Sequence, residues 1–144
     1  MSGTNWTIGI DFGTSNTAAA HTNPVKGTVE AVNLSHNRTT MSSSVYVESP
    51  EQIDVGDVAM DKAESNPAGF IPAPKRVIPQ QMFQVNGYDL SASMPVAAVL
   101  SSVVQRVSRE HGNVQPSELV LTHPEAWSSN EIKVLLDAAA QLGL

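Results

Sequence analysis

Residues 6–17, Trp-Thr-Ile-Gly-Ile-Asp-Phe-Gly-Thr-Ser-Asn-Thr, constrain this chain more than any other stretch. Ile8 and Ile10 alternate with smaller residues at the two-residue period of a strand with one buried face, and Asp11 falls at its C-terminal end. Gly13 comes next, and the expectation is a sharp turn that uses glycine's freedom to take positive φ. Thr14, Ser15, Asn16 and Thr17 then bring hydroxyls, an amide and backbone N–H groups that no bulky side chain shields. A turn of this make-up can surround a phosphate with donors while the carboxylate beside it holds Mg²⁺ through water. The competing reading is a β-hairpin whose turn is merely rich in Gly and Thr, because motifs this short recur by chance.

The chain has 144 residues, one domain's worth and enough to bury a core. Hydrophobic residues make up 41% and charged ones 15%, the balance of a folded chain and not of a disordered one. A formal charge of −6 argues against a nucleic-acid surface, which needs a basic stripe, but not against a nucleotide held by local donors and a metal. The absence of cysteine excludes disulfides, thiolate chemistry and Cys-type zinc sites. No apolar run approaches the roughly 20 residues of a membrane helix, and no basic-then-apolar leader pattern opens the chain. The expectation is a cytoplasmic protein with neither membrane nor nucleic acid as a partner. His21, His36, His111 and His123 show no metal-ligand spacing and read as incidental.

Ala18–Thr22 reads as the return strand of a hairpin around Gly13, and Thr28–Leu34 as a third strand. Ser35–Ser44 is polar throughout and reads as a loop. Val45–Val47 and Ile53–Val55 are short strands; Asp57 is the expected cap of a helix from Val58 to Ser65, ended by Asn66-Pro67. Four prolines, at 67, 72, 74 and 79, predict a stiff extended segment that presents Lys75 and Arg76. Asn86-Gly87 between Phe83–Val85 and Tyr88–Leu90 is a hairpin signal. A helix is expected over Pro95–His111, a buried strand over Leu119–Thr122, and a final helix over Asn130–Leu142 opened by the capping box Ser128-x-x-Glu131. Its apolar face is read as Ile132, Leu135, Leu136 and Ala139. Strands, an excursion, then helix, strand and helix make an α/β pattern with a mixed sheet.

The order of these pieces resembles the seventy-kilodalton heat-shock chaperones (DnaK-like) of the actin-like ATPase superfamily. The resemblance rests on Ile8-Gly-Ile-Asp-Phe-Gly-Thr-Ser15, Arg38-Thr-Thr-Met-Ser42, Asn66-Pro67, Lys75-Arg76, the Asn86-Gly87 hairpin, His123-Pro-Glu-Ala-Trp127 and Gln141-Leu-Gly-Leu144. No later motif is specific; the ordered set, which covers essentially the whole chain, is. It implies an actin-like (ribonuclease H-like) half-fold with its last strand and helix missing: a lobe I core from 1–34 and 91–144, and an inserted small α/β subdomain from 35–90.

The resemblance also implies roles. Asp11 would hold hydrated Mg²⁺, while Gly13, Thr14, Ser15 and Asn16 would bind the phosphates of ATP or ADP. Lys75 would be the catalytic lysine, stabilising the transferred phosphoryl group and orienting water. From spacing alone Lys75 reads as a solvated cation. Arg76 would be structural, paired with a surface carboxylate, and Pro124 would couple nucleotide state to a substrate domain. Met41 replaces a usual proline, Glu125 and Trp127 replace a small residue and a Phe, and Ile132 or Lys133 falls where the family has an arginine. These departures bear on the allosteric relay and leave the phosphate chemistry alone. On this reading the parent is an ATPase with peptide clients and co-chaperones as partners. The 144-residue fragment alone would be inactive and prone to self-associate through an exposed sheet edge. The alternatives on the same fold are a sugar kinase, a filament ATPase or a non-hydrolysing binding module.

Overall fold

In β1 (Thr7–Phe12), Ile8, Ile10 and Phe12 point into the core while Gly9 and Asp11 point away from it. The computed structural model describes residues 6–23, 27–34, 38–123 and 127–143. β1 pairs antiparallel with β2 (Asn16–Asn23), which continues along one edge with β3 (Thr28–Ala31) and β4 (Thr40–Ser42). On its other edge β1 runs parallel to β10 (Glu118–Leu121), in the register Thr7 to Glu118 through Ile10 to Leu121. The expected neighbours therefore share one mixed five-stranded sheet.

A second sheet joins β5 (Val45–Ser49) to β6 (Gln52–Val55) and to the two-residue β7 (Phe70–Ile71). The hairpin of β8 (Met82–Val85) and β9 (Tyr88–Ser91) turns at Asn86 and Gly87, with φ of 51° and 80°. Both angles lie in the left-handed region that a type I′ turn demands. α1 spans Gly56–Ser65, α2 Ser93–Arg109 and α3 Ser129–Gln141. α2 buries Val96, Val99, Leu100, Val103, Val104 and Val107 and packs against both β1 and α3. One apolar cluster runs from Ile8 and Ile10 through this face to Val45, Val47, Ile71, Ile78 and Leu90.

Five local expectations need correction. Ser35–Ser44 is not wholly loop, because Thr40–Ser42 pairs with Asn16–Ala18 as β4. The third strand stops at Ala31. Asp57 does not cap α1: Val55 holds that position without a side-chain hydrogen bond, and Asp57 lies in the first turn. Residues 67–80 are extended only at Phe70–Ile71, the strand β7; on either side the chain folds into 3-10 helices at Pro67–Gly69 and Pro74–Gln80, each with proline in its first turn, where a missing N–H costs nothing. α3 buries Val134, Leu135 and Ala138, whereas Leu136 is 61% exposed; the helix packs against α2 and the 3-10 helix Pro74–Gln80. The capping box is closed by Glu131 Oε1, which accepts from the Ser128 N–H and hydroxyl at 3.3 and 3.2 Å.

At the far end of β1, Trp6 is buried, stacks on His111 at 3.9 Å between centroids and donates its Nε1–H to Val114 O. His111 Nε2 lies 2.8 Å from His21 Nδ1, so one shared proton ties β2 to the loop after α2. Burial holds His111 below the ordinary histidine value, and the nearby His21 adds to this against a smaller opposite pull from Glu110.

Candidate functional site

The parallel pairing of β1 with β10 brings their C-terminal ends side by side, and that register places Asp11 next to Thr122. Thr122 Oγ1 donates to Asp11 Oδ1 at 2.9 Å, which leaves the other carboxylate oxygen without a protein partner among the described residues. Asp11 is exposed and borders a groove of about 270 Å³ on the uncovered face of the sheet, with Gly9, Ala18, Ala20, Val120 and Thr122. Cavities of about 560 and 580 Å³ lie elsewhere, one beside Arg106 and Arg109 of α2 and one between β10 and α3, and neither includes the β1–β2 turn. The chemistry of the donor set, not cavity size, points to the turn.

Within that turn the Gly13 N–H donates to Asn16 O at 3.0 Å. The expected positive φ at Gly13 is not found. Glycine is required for space instead: a Cβ there would meet Asn16 O at 2.3 Å. Thr14 is half-buried, and Ser15 and Asn16 are exposed, so two hydroxyls and an amide sit at the rim of a backbone cradle. Ser43, by sequence one more hydroxyl in a polar run, is fully buried behind the turn. Its N–H donates to Ser15 O at 2.9 Å and its hydroxyl to Gly13 O at 3.0 Å, with Thr17 Oγ1 at 2.8 Å.

Lys75 lies on the second 3-10 helix, half-buried, with Nζ 5.4 Å from the centre of the Trp127 ring. Trp127 in turn stacks on His123 at 6.3 Å, and His123 follows Thr122 in the chain. Lys75 is thus linked, through the Trp127–His123 pair, to the segment that follows β10 and carries Thr122, the partner of Asp11. Arg76 is exposed and has no carboxylate partner among the described residues, contrary to expectation. Lys133 pairs with Asp137 one helical turn on, at 2.9 Å. Pro124, Glu125 and His36 lie outside the described residues.

The residues present fit a phosphate with a hydrated cation. Gly13 lets the turn close tightly onto Asn16 O, where a Cβ would clash, Thr14 and Ser15 supply donors at its rim, and Asp11 has one carboxylate oxygen without a partner among the described residues. A single carboxylate suffices for Mg²⁺, which keeps most of its water. No group of three or more His, Asp or Glu among the described residues could ligate a metal directly.

No protein-family model matches the chain. Over 140 residues it is 30% identical to the chaperone protein DnaK of Endomicrobium trichonymphae, a likeness that covers 95% of this chain and 22% of DnaK. The chain thus spans about a fifth of the length of that relative. No helix among the described residues is long and apolar enough to cross a membrane.

Proposed function

We propose that this chain is part of the nucleotide-binding domain of a DnaK-like, seventy-kilodalton heat-shock chaperone ATPase. The observation that carries the reading is the β1–β2 turn: a glycine-lined backbone cradle with Asp11 beside it, in a chain alike to DnaK along 95% of its length. The wider frame is the actin-like half-fold, with a core from 1–34 and 91–144 and a small subdomain from 35–90 inserted in it. Thr14, Ser15 and Asn16 bind and orient the β- and γ-phosphates of ATP, and Asp11 holds the waters of Mg²⁺. When bound, the cation neutralises charge on the phosphates. Lys75 then acts on the transferred phosphoryl group, electrostatically and by positioning. Peptide clients, co-chaperones and a cytoplasmic setting follow for the whole protein on this reading.

One observation favours a second reading, a binding module without turnover: the Lys75 ammonium lies over the Trp127 ring, 5.4 Å from its centre. ATP hydrolysis by the protein expressed from the whole reading frame separates the two. On the first reading Lys75→Ala nearly abolishes turnover and leaves nucleotide affinity within a few-fold, because the lysine acts mostly in the transition state. No turnover in the unsubstituted protein supports the module, and turnover in Lys75→Ala equal to that of the unsubstituted protein refutes the role given to Lys75.

A further inference from the structure

Two carbonyl oxygens of the β1–β2 turn are held by one residue. Ser43 donates its hydroxyl proton to Gly13 O and its N–H to Ser15 O. Since a serine hydroxyl has one proton, the 2.8 Å contact with Thr17 Oγ1 carries the threonine's proton, and Ser43 Oγ is both donor and acceptor. The peptide group is planar and trans, so each carbonyl points opposite to the N–H of the next residue. With Gly13 O drawn toward Ser43, the N–H of Thr14 faces the other way. With Ser15 O drawn the same way, so does the N–H of Asn16. Gly13 makes this restraint necessary, because without a Cβ the Gly13–Thr14 peptide could rotate at little cost.

We propose that Ser43 is the positioning residue of this turn: it anchors the Gly13 and Ser15 carbonyls from behind, so that the Thr14 and Asn16 amides face a phosphoryl group. This rests on the phosphate reading of the turn. Ser43 itself is fully buried and touches no ligand; it acts through the two peptide groups that it holds. Alanine at 43 would leave Gly13 O and Thr17 Oγ1 without their partner and free the first peptide to turn. Valine at 17 would remove a buried hydrogen bond of the same network yet leave both carbonyl anchors in place.

The test is an amide-resolved NMR titration of the full 144-residue chain with inorganic pyrophosphate across the millimolar range. Pyrophosphate should move the Thr14 and Asn16 amide resonances of the unsubstituted chain and of Thr17→Val, although the latter is less stable. In Ser43→Ala, which keeps the N–H that holds Ser15 O, the Thr14 resonance should be displaced before any pyrophosphate is added and the Asn16 resonance much less. Its affinity should fall about five- to tenfold, the scale of one or two lost hydrogen bonds. Ser43→Cys fills the same space with a weak donor, should fall between the two, and carries the comparison if the alanine variant unfolds. Affinity in the Ser43 variants within twofold of the unsubstituted chain overturns the proposal, as does an equal loss in Thr17→Val. A silent turn in the unsubstituted chain overturns the phosphate reading itself, before any variant is compared.

Discussion

Replacing Gly13 by alanine probes the turn at its tightest point. The added Cβ would lie 2.3 Å from Asn16 O, whereas ordinary contact begins near 3.4 Å, so the backbone must open by about 1 Å. The Gly13 N–H to Asn16 O bond, now 3.0 Å, would stretch to about 4 Å and break. The two Ser43 anchors act on the same short segment, which puts three hydrogen bonds at risk at about 0.5–1.5 kcal/mol each. Reduced freedom of the unfolded chain returns about 0.4–1 kcal/mol. The net loss should be about 1–3 kcal/mol, a fall in Tm of about 3–10 °C for a chain of this size. Gly9→Ala is the internal control: Gly9 lies in β1, four residues earlier, and a Cβ there meets nothing within 4 Å. It should be neutral or slightly stabilising. Thermal and urea unfolding followed by circular dichroism measure both. Equal midpoints for the two variants would refute the steric argument.

Other consequences are simpler to state. Leu100→Ala, at a fully buried position of α2, should cost about 2–5 kcal/mol in urea unfolding, and a loss below 1 kcal/mol would contradict its place in the core. The His21–His111 pair predicts a pH dependence. The folded state holds His111 below its unfolded value near 6.5, so the folded chain binds fewer protons, and the pair's contribution is present above about pH 6.5 and lost as pH falls through the lower folded value. Tm should therefore drop between pH 7 and pH 5.5, and less so in His21→Ala, with Glu110 beside His111 and Glu30 across the strand from His21 as the other charges present. A flat or rising Tm over that window would contradict it.

What was legible in the sequence was mostly local. Asn86-Gly87 names its own turn, the apolar stripe of α2 stands out at helical spacing, and Gly13 beside Asp11 marks the turn that matters. Gly13 serves space and not a positive φ, and the sequence carries no local trace of this because the clash with Asn16 O arises only once the hairpin closes. β4 was hidden because a strand of three residues with one apolar member, Met41, owes its existence to pairing with β2. The prolines of 67–80 signal stiffness equally well for extended and 3-10 backbone; contacts of that segment with α2, α3 and β8 decide between them. Ser43, Thr122 and the His21–His111 pair join residues 26 to 111 positions apart, and no spacing rule covers such distances. The placement of Lys75 against Trp127 was out of reach for the same reason.

The most direct measurement is where Mg·ATP touches the chain. Amide shifts of the full 144 residues during a Mg·ATP titration should centre on Asp11–Thr17 and saturate only in the millimolar range. A few solvent-facing hydrogen bonds at about 0.5–1.5 kcal/mol each do not outweigh an association cost of about 4–15 kcal/mol by more than that. Shifts that gather at Arg106 and Arg109 with the turn silent, or a micromolar dissociation constant, would contradict the claim that this turn is one phosphate-holding wall of a larger nucleotide site.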